Sequence, residues 1–146
     1  MTVYSKEKQS KLDDLYMDLA KRISQMSHSR RSKVGAVLVK DDNIISYGWN
    51  GTPAGDNNNC EHETEDGLVT KPEVVHAESN TLMKLAAKGG SGSVGSYLYC
   101  TLSPCIECSK LIKQSQVARV VFGEIYRSTD GIDFLQSRGV SVEQRS

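Results

Sequence analysis

Hydrophobic and polar positions along the chain follow two different periods, which predicts a mixture of helices and strands. Residues 10–26 carry apolar side chains at helical spacing, so we expect an amphipathic helix there. The run VGAVLV at residues 34–39 is continuously apolar and rich in valine, which is typical of a strand buried on both faces. A polar KDDN turn and the segment IISYGW follow, which predicts a hairpin of two strands.

The later periodic segments alternate between helix and strand. Residues 74–88 show a helical pattern that stops at KGGSGSVGS, and YLYCT is a predicted strand. Ser103 and Pro104 are expected to cap and begin a helix that ends near Gln114. The strand ARVVF, a helix in STDGIDFLQSRG and a short strand VSV complete the series. This order predicts one α/β domain over residues 1–146, with a mixed sheet covered by helices on both faces.

The segment from residue 51 to residue 72 interrupts this order, because it holds Gly, Pro, Asn, Asp and Glu and almost no apolar side chain. A loop of this length inside a compact domain is usually functional or disordered. We therefore expect an irregular polar loop here, which either binds a ligand or is a mobile surface segment.

Composition and charge argue against several classes of protein. Lys plus Arg and Asp plus Glu both total 18, and the resulting net charge of zero disfavours a nucleic-acid partner. The chain has no apolar run of about 18 residues that would span a membrane, and its charged N-terminus is unlike a signal peptide. Four cysteines without an export signal favour reduced thiols that bind metal or take part in catalysis, so a cytoplasmic location is expected.

The segment LSPCIECSK places Cys105 and Cys108 three positions apart. Alone, such a pair is compatible with a disulfide, a redox pair, a structural metal site or half of a catalytic metal site. The segment HAESN adds His76 and Glu78, and H-x-E followed by P-C-x-x-C is the signature of zinc-dependent nucleobase deaminases. The combination therefore predicts a zinc site.

Zinc binds nitrogen and sulfur ligands in tetrahedral geometry, and a catalytic zinc site keeps one of the four positions open. Cys105 and Cys108 would lie on one face of the first turn of their helix, and His76 would reach the ion from the start of another helix. The ion would lower the pKa of a bound water toward about 7. Glu78 is expected to move the proton of that water rather than to bind the metal.

The other two cysteines have different expected roles. Cys100 lies among apolar residues of a predicted strand and is expected in the core. Cys60 and His62 form a C-x-H pair in the long polar loop, and we predict that they are not ligands of the main zinc. A second zinc at this pair is left as an alternative.

The sequence resembles the deoxycytidylate (dCMP) deaminases of the cytidine deaminase superfamily. The resemblance runs from SKVGAVLVKDDNIISYGWNGTPAG through HAESN and SPCIECSKLI to VVFGEIYRS. It implies a three-layer α/β/α fold around a five-stranded sheet and the hydrolysis of dCMP to dUMP and ammonia, which feeds thymidylate synthesis. It also implies a homo-oligomer, often a hexamer, and regulation at a second site, where many members are activated by dCTP and inhibited by dTTP, with Mg²⁺ on the triphosphate.

The resemblance also implies residues that bind the substrate. Asn50 in GWNG corresponds to the residue that contacts the sugar hydroxyl, and Tyr126 and Arg127 in IYRS correspond to the segment that meets the phosphate and sugar. Arg30 in the basic segment HSRRSK is our choice for a further phosphate contact, because arginine geometry suits a phosphate. Its neighbours in that segment, Arg31 and Lys33, are the alternatives.

The polar loop GDNNNCEHETEDG resembles the regulatory loop of bacterial and phage-type relatives. Asp56, Asn58, Glu61 and His62 are the expected contacts to the effector nucleotide, because such side chains can bond a base edge or a ribose hydroxyl. The acidic members could also meet the Mg²⁺ ion.

Three other functions remain compatible with the motifs. A nucleoside cytidine deaminase would share the zinc site but would need no phosphate pocket. A nucleic-acid base deaminase, such as the tRNA adenosine type, would need a basic surface, which the net charge of zero disfavours. A non-catalytic zinc protein that binds nucleotides would have no use for a proton-transferring Glu78.

Overall fold

The computed structural model describes residues 3–146, and within that range it contains four helices and seven strands. In chain order these are α1 (Lys6–Ser24), β1 (Gly35–Lys40), β2 (Asn43–Trp49), β3 (Glu61–Thr64), β4 (Gly67–Thr70), α2 (Ala77–Lys88), β5 (Tyr97–Leu102), α3 (Ile106–Gln114), β6 (Arg119–Glu124), α4 (Asp130–Ser137) and β7 (Ser141–Gln144).

Five strands form the central mixed sheet in the order β2-β1-β5-β6-β7. Strand β1 pairs antiparallel with both β2 and β5, whereas β5 with β6 and β6 with β7 are parallel. The predicted mixed five-stranded sheet and the predicted hairpin of β1 and β2 are therefore confirmed. Strands β3 and β4 form a separate antiparallel pair.

Helices cover both faces of the sheet. Successive residues of a strand point to opposite sides, so neighbouring residues of one strand contact different helices. Val37 of β1 and Tyr99 of β5 pack with α1 on one face. Leu38 and Leu98, one position away on the same strands, pack with α2, α3 and α4 on the other face. The predicted three-layer α/β/α arrangement is confirmed, and β1 is buried on both faces as expected.

The long polar segment is not irregular throughout, so that expectation was wrong for residues 61–70, which form the β3–β4 hairpin. Most side chains of these two strands are exposed, so no alternation of apolar and polar residues marks them in the sequence. The hairpin is fastened by Glu61, whose buried carboxylate accepts hydrogen bonds from the loop that follows α1. A contact between distant segments therefore orders a stretch that local patterning leaves unassigned.

Helix starts also differ from the expected ones. Cys105, rather than Ser103, is the N-cap of α3. Ser103 is held by the neighbouring strand instead, because its backbone N–H donates to the Glu124 carbonyl and its Oγ accepts from the Tyr126 N–H. Helix α2 begins at Ala77 rather than near residue 74, since Val75 forms a β-bridge with Gly51.

A buried ion pair joins α1 to the sheet. Asp13 is 1% exposed, and its carboxylate accepts two hydrogen bonds of 2.8 Å from the Arg119 guanidinium and one of 2.6 Å from the Tyr99 hydroxyl. Burial opposes ionisation of Asp13, but the hydrogen bonds from Arg119, Tyr99 and Gln9 outweigh it and lower the pKa of this carboxyl. The pair fixes α1 against the starts of β5 and β6.

Asp13→Asn is expected to lower the free energy of unfolding by about 1.5–3 kcal/mol at neutral pH, because the buried carboxylate loses its charge-assisted hydrogen bonds and Arg119 keeps only the partly exposed Glu143 as an acidic partner. The pKa of Asp13 is lowered from 3.8, so its contribution is present above that value and is lost as the pH falls through the native pKa. Urea unfolding at several pH values measures both effects.

Asp14→Asn is the matched control on the same helix, because the Asp14 side chain is 66% exposed in its ion pair with Arg145. It should cost less than about 1 kcal/mol. Equal losses in the Asp13 and Asp14 variants would contradict the importance of the buried pair.

No helix within residues 3–146 is long and apolar enough to cross a membrane.

Candidate metal centre and active site

Two helix N-termini meet beside the carboxyl end of β5. His76 is the N-cap of α2, and Cys105 is the N-cap of α3, where its sulfur accepts a hydrogen bond from the Cys108 N–H at 3.5 Å. The Asn80 amide donates to the Trp49 carbonyl at 2.8 Å and so fastens the start of α2 to the end of β2. The fold therefore presents both helix ends to the same site.

The three predicted ligands lie within reach of one ion. His76 Nδ1 is 3.5 Å from Cys105 Sγ and 3.4 Å from Cys108 Sγ, and the three ligand atoms all lie within 4.8 Å of one another. Tetrahedral zinc with ordinary Zn–N and Zn–S bonds would separate a nitrogen and a sulfur ligand by about 3.6 Å. The spacing and the ligand types therefore fit Zn²⁺ with three protein ligands.

The part of the chain that the structure describes holds no second group of three His, Cys, Asp or Glu side chains placed to share an ion. Cys60 is buried, and its sulfur contacts the Asn58 carbonyl oxygen at 3.7 Å. Cys60 and His62 do not belong to the cluster of His76, Cys105 and Cys108. All four cysteines are free thiols, and Cys100 lies in the core with 0% exposure.

The two clustered thiols influence each other strongly. Hydrogen bonding from Cys108 and His76 lowers the pKa of Cys105 to about 3, whereas hydrogen bonding to Cys105 together with burial raises the pKa of Cys108. Neighbouring thiols resist carrying two negative charges unless a cation compensates them. A divalent cation at this point would stabilise both thiolates, so that both sulfurs could bind it together with His76.

Glu78 lies in the first turn of α2 and is 4% exposed. Burial raises the pKa of its carboxyl to about 7, and the nearby His76 opposes this shift. A carboxyl with a pKa near neutrality can both accept and donate a proton under physiological conditions. Glu78 is not one of the three clustered ligand residues, and its role in proton transfer stays a prediction.

A cavity of about 360 Å³ adjoins the cluster. It is lined by the cluster residues His76 and Cys105, by Glu78, and by three of the four predicted substrate residues, Asn50, Tyr126 and Arg127. Its volume is within the usual range for a small-molecule site. The structure thus brings these sequence-predicted residues to one place, from segments that are far apart in the chain.

Asn50 has a structural task at the cavity wall. Its Oδ1 accepts from the Val34 N–H at 2.9 Å, and its Nδ2 donates to the Ser32 carbonyl at 2.8 Å. These bonds hold the loop before β1 against the end of β2. The amide retains one further N–H and one lone pair, so the expected contact with a sugar hydroxyl stays a prediction.

Arg30 does not line the cavity, contrary to the expectation for a phosphate contact. Its guanidinium turns to the β3–β4 hairpin, where it meets Glu61 at 3.4 Å and Glu63 at 3.3 Å. The neighbouring Arg31 lines the cavity instead, with one guanidinium nitrogen donating to Thr70 Oγ1 at 3.0 Å. The sequence shows a basic loop, but only packing decides which arginine faces the site.

The four predicted effector contacts fall into two groups. Asp56, Asn58 and His62 are exposed, and none of them lines the cavity. Glu61 is 1% exposed, and its carboxylate accepts from Ser29 Oγ at 2.8 Å and from the backbone N–H groups of residues 30 and 31. It thus braces the loop that carries Arg31, a role that sequence reasoning missed.

The charge state of Glu61 agrees with this bracing role. Burial opposes its ionisation, but hydrogen bonds from the Arg31 backbone, the Ser29 hydroxyl and Arg30 outweigh it and lower the pKa of the carboxyl. Its carboxylate is therefore already occupied by partners within the chain, and an effector contact by any of the four residues stays a prediction.

The family of this chain follows from a match to known proteins. The model of the cytidine and deoxycytidylate deaminase zinc-binding region matches residues 10–124, which include all three clustered ligands and Glu78. The chain belongs to the cytidine and deoxycytidylate deaminase family. Together with the donor set of one nitrogen and two sulfurs, this match supports Zn²⁺ as the metal.

Named relatives place the chain among the deoxycytidylate deaminases of that family. The deoxycytidylate deaminase of Enterobacteria phage T4 is 32% identical, covering 86% of this chain and 86% of the phage protein. The human deoxycytidylate deaminase is 35% identical, covering 80% of this chain and 67% of its own. The structure of dCMP deaminase from cyanophage S-TIM5 in complex with dCMP and dUMP is 46% identical, with a TM-score of 0.87, covering 98% of this chain and 100% of that chain.

Proposed function

We propose that the chain hydrolyses dCMP to dUMP and ammonia and so supplies dUMP for thymidylate synthesis. The observation that carries the proposal is the cluster of His76, Cys105 and Cys108, which shares its cavity with a buried Glu78 and with two arginines. The similarity to a dCMP deaminase in complex with dCMP and dUMP supports this choice of substrate.

Zinc, when bound to the cluster, supplies a water molecule of lowered pKa. Glu78 would take one proton of the attacking water and pass it to the pyrimidine ring nitrogen as the new C–O bond forms. It would then pass the second proton, from the added hydroxyl, to the amino group, which leaves as ammonia when the C–N bond breaks. Burial raises the pKa of the Glu78 carboxyl to about 7 in the chain without metal, which favours the uptake of a proton by this group.

Two arginines at the cavity account for a monophosphate substrate. Arg31 and Arg127 both line it, and a guanidinium binds phosphate oxygens in a planar, charge-assisted geometry. Glu61 supports this arrangement, because it holds the backbone of Arg31 through a hydrogen bond of 3.1 Å. We therefore assign the phosphate contact to Arg31 in place of Arg30, together with Tyr126 and Arg127, and the sugar contact to Asn50.

Arg31→Gln is expected to raise the KM for dCMP by roughly tenfold to a hundredfold, because a hydrogen bond to a charged group is lost. The low activity expected on deoxycytidine, which has no phosphate, should not change. Steady-state rates of ammonia release on both substrates measure this. Lys33→Gln is the matched control, since Lys33 is exposed in the same loop and does not line the cavity.

The same experiment distinguishes the competing functions. If the unaltered chain prefers deoxycytidine to dCMP, or if Arg31→Gln and Lys33→Gln alter the KM equally, the phosphate pocket is wrong and a nucleoside deaminase becomes the better description. If the chain releases ammonia from a tRNA or DNA oligonucleotide and from neither small substrate, a nucleic-acid deaminase replaces both.

We further propose regulation and assembly like those implied by the resemblance. The chain is expected to form a homo-oligomer, usually a hexamer, which dCTP activates and dTTP inhibits with Mg²⁺ on the triphosphate. The exposed Asp56, Asn58 and His62 of the loop before and within β3 are available for such contacts. Titration of each triphosphate with Mg²⁺ against the rate on dCMP tests this, and a rate indifferent to both would refute it.

A further inference from the structure

We propose that the start of α4 positions the metal-binding loop and that Gly131 is the positioning residue. The inference rests on the proposed zinc centre. Gly131 is the second residue of α4, and a Cβ atom added to it would lie 2.1 Å from the Pro104 carbonyl oxygen and 2.9 Å from the Cys105 carbonyl carbon. The helix backbone therefore packs directly against the peptide that carries the metal ligand Cys105.

Close packing, rather than an unusual backbone conformation, requires glycine at this position. Gly131 does not have the positive φ that favours glycine at several other positions of the chain. The added Cβ would also lie 2.6 Å from the Oγ of Ser109, which is fully buried and has no hydrogen-bond partner within residues 3–146. Contact between α3 and α4 is thus steric at this point and leaves no room for a methyl group.

The segment that joins β6 to α4 is attached to the loop before α3 at a second point. The Tyr126 N–H donates to Ser103 Oγ at 2.6 Å, and the Ser103 N–H donates to the Glu124 carbonyl at 2.8 Å. Residues 124–131 are therefore fastened to residues 103–105 at both ends, with Arg127 of the cavity wall between the two attachments. One segment supports both the wall of the substrate cavity and the loop that carries Cys105.

A methyl group at position 131 must push α4 away from Cys105 or displace Cys105 itself. The second movement changes the distance between the Cys105 sulfur and His76 Nδ1, which is now 3.5 Å, and the first removes the packing that holds the peptide of Cys105 in place. Residues that orient metal ligands typically affect metal affinity by about 10- to 100-fold. We expect the dissociation constant for Zn²⁺ to rise by about tenfold or more in Gly131→Ala.

Competition with a chromophoric chelator measures the Zn²⁺ affinity, and the absorption spectrum of the Co²⁺-loaded protein reports the geometry of the ligands. Gly35→Ala is the matched control, because a Cβ there would lie 2.2 Å from the Ala20 carbonyl oxygen, where β1 packs on α1. Both variants should lose stability, but only Gly131→Ala should weaken Zn²⁺ binding and change the Co²⁺ spectrum. Unchanged Zn²⁺ affinity in Gly131→Ala, or an equal loss in Gly35→Ala, would overturn the inference.

A second pair of variants serves if Gly131→Ala does not fold. Leu135→Ala loosens α4 by removing a side chain that is 0% exposed, and Met17→Ala makes a comparable deletion in α1, where the side chain is 2% exposed. Leu135→Ala is expected to raise the dissociation constant for Zn²⁺, and Met17→Ala should leave it unchanged. Equal Zn²⁺ affinities in the two variants would count against a positioning role for α4.

The outcome is independent of the reaction that the site catalyses. A chain that binds Zn²⁺ but does not deaminate dCMP would refute the proposed function and leave the positioning role standing. If the unaltered chain deaminates dCMP and Gly131→Ala binds Zn²⁺ normally, the proposed function stands and the positioning role is refuted.

Discussion

Glu78→Gln is expected to lower the rate of dCMP deamination by about 10²- to 10⁴-fold and to leave Zn²⁺ binding intact. The amide keeps the size of the side chain but cannot take up a proton and deliver it to the substrate. Glu78 is buried beside the metal cluster and is not one of the clustered ligand residues, so the substitution should spare the ion. Ammonia release and zinc content, measured on the same preparation, separate the two effects.

Glu107→Gln is the matched control for this variant. Glu107 also lies in the first turn of a helix that begins at a metal ligand, but its side chain is 75% exposed and pairs with Lys110. We expect its activity to stay within about twofold of the unaltered chain, because exposed ion pairs contribute little. If Glu78→Gln releases ammonia as fast as Glu107→Gln, Glu78 is not the proton carrier.

The pKa of Glu78 adds a stability measurement to the same variant. Burial raises the native pKa to about 7, from 4.5 for an ordinary carboxyl. In the metal-free chain the stability associated with this group is therefore fully present below pH 4.5 and is lost as the pH rises through about 7. Glu78→Gln should remove that part of the pH dependence. Unfolding curves of the metal-free proteins between these pH values test the direction of the effect.

Removal of Zn²⁺ is expected to abolish activity altogether. In Cys108→Ala, addition of Zn²⁺ should not restore the activity. Each chain offers three ligands, so purified protein should contain about one zinc per chain. Deleting Cys108 leaves two ligands, too few for the usual tetrahedral site. Metal analysis before and after chelation, followed by addition of Zn²⁺, measures both activity and occupancy.

Cys100→Ala is the control for the loss of a buried thiol. Cys100 is 0% exposed in the core of β5, and it does not belong to the metal cluster. This variant should lose some stability but retain zinc and the ability to recover activity after chelation. Full activity of a metal-free chain, or zinc loss in Cys100→Ala equal to that in Cys108→Ala, would contradict the assigned ligand set.

Some interpretations of the chain depended on contacts that no local pattern reveals. Ser103 is followed by a proline and has the composition of a helix cap, yet its Oγ accepts from Tyr126 in another segment, and Cys105 caps α3 instead. Glu61 lies in a polar stretch typical of a loop, yet its carboxylate is buried against Ser29, which lies 32 positions earlier. In both cases the partner is distant in sequence, so the role of the residue is invisible until the segments are packed together.

The sequence by itself determined the mixed sheet, the helices on both faces and the three residues that cluster at the candidate metal centre. Apolar periodicity reports which face of each element is buried, and His76, Cys105 and Cys108 combine residue types that few structures other than a zinc site require. Only the tertiary structure decided that Arg31 rather than Arg30 faces the cavity and that Gly131 packs against the metal-binding loop. Those outcomes depend on the direction of a side chain and on distances between segments, and neither quantity is set by the residues next to it in the chain.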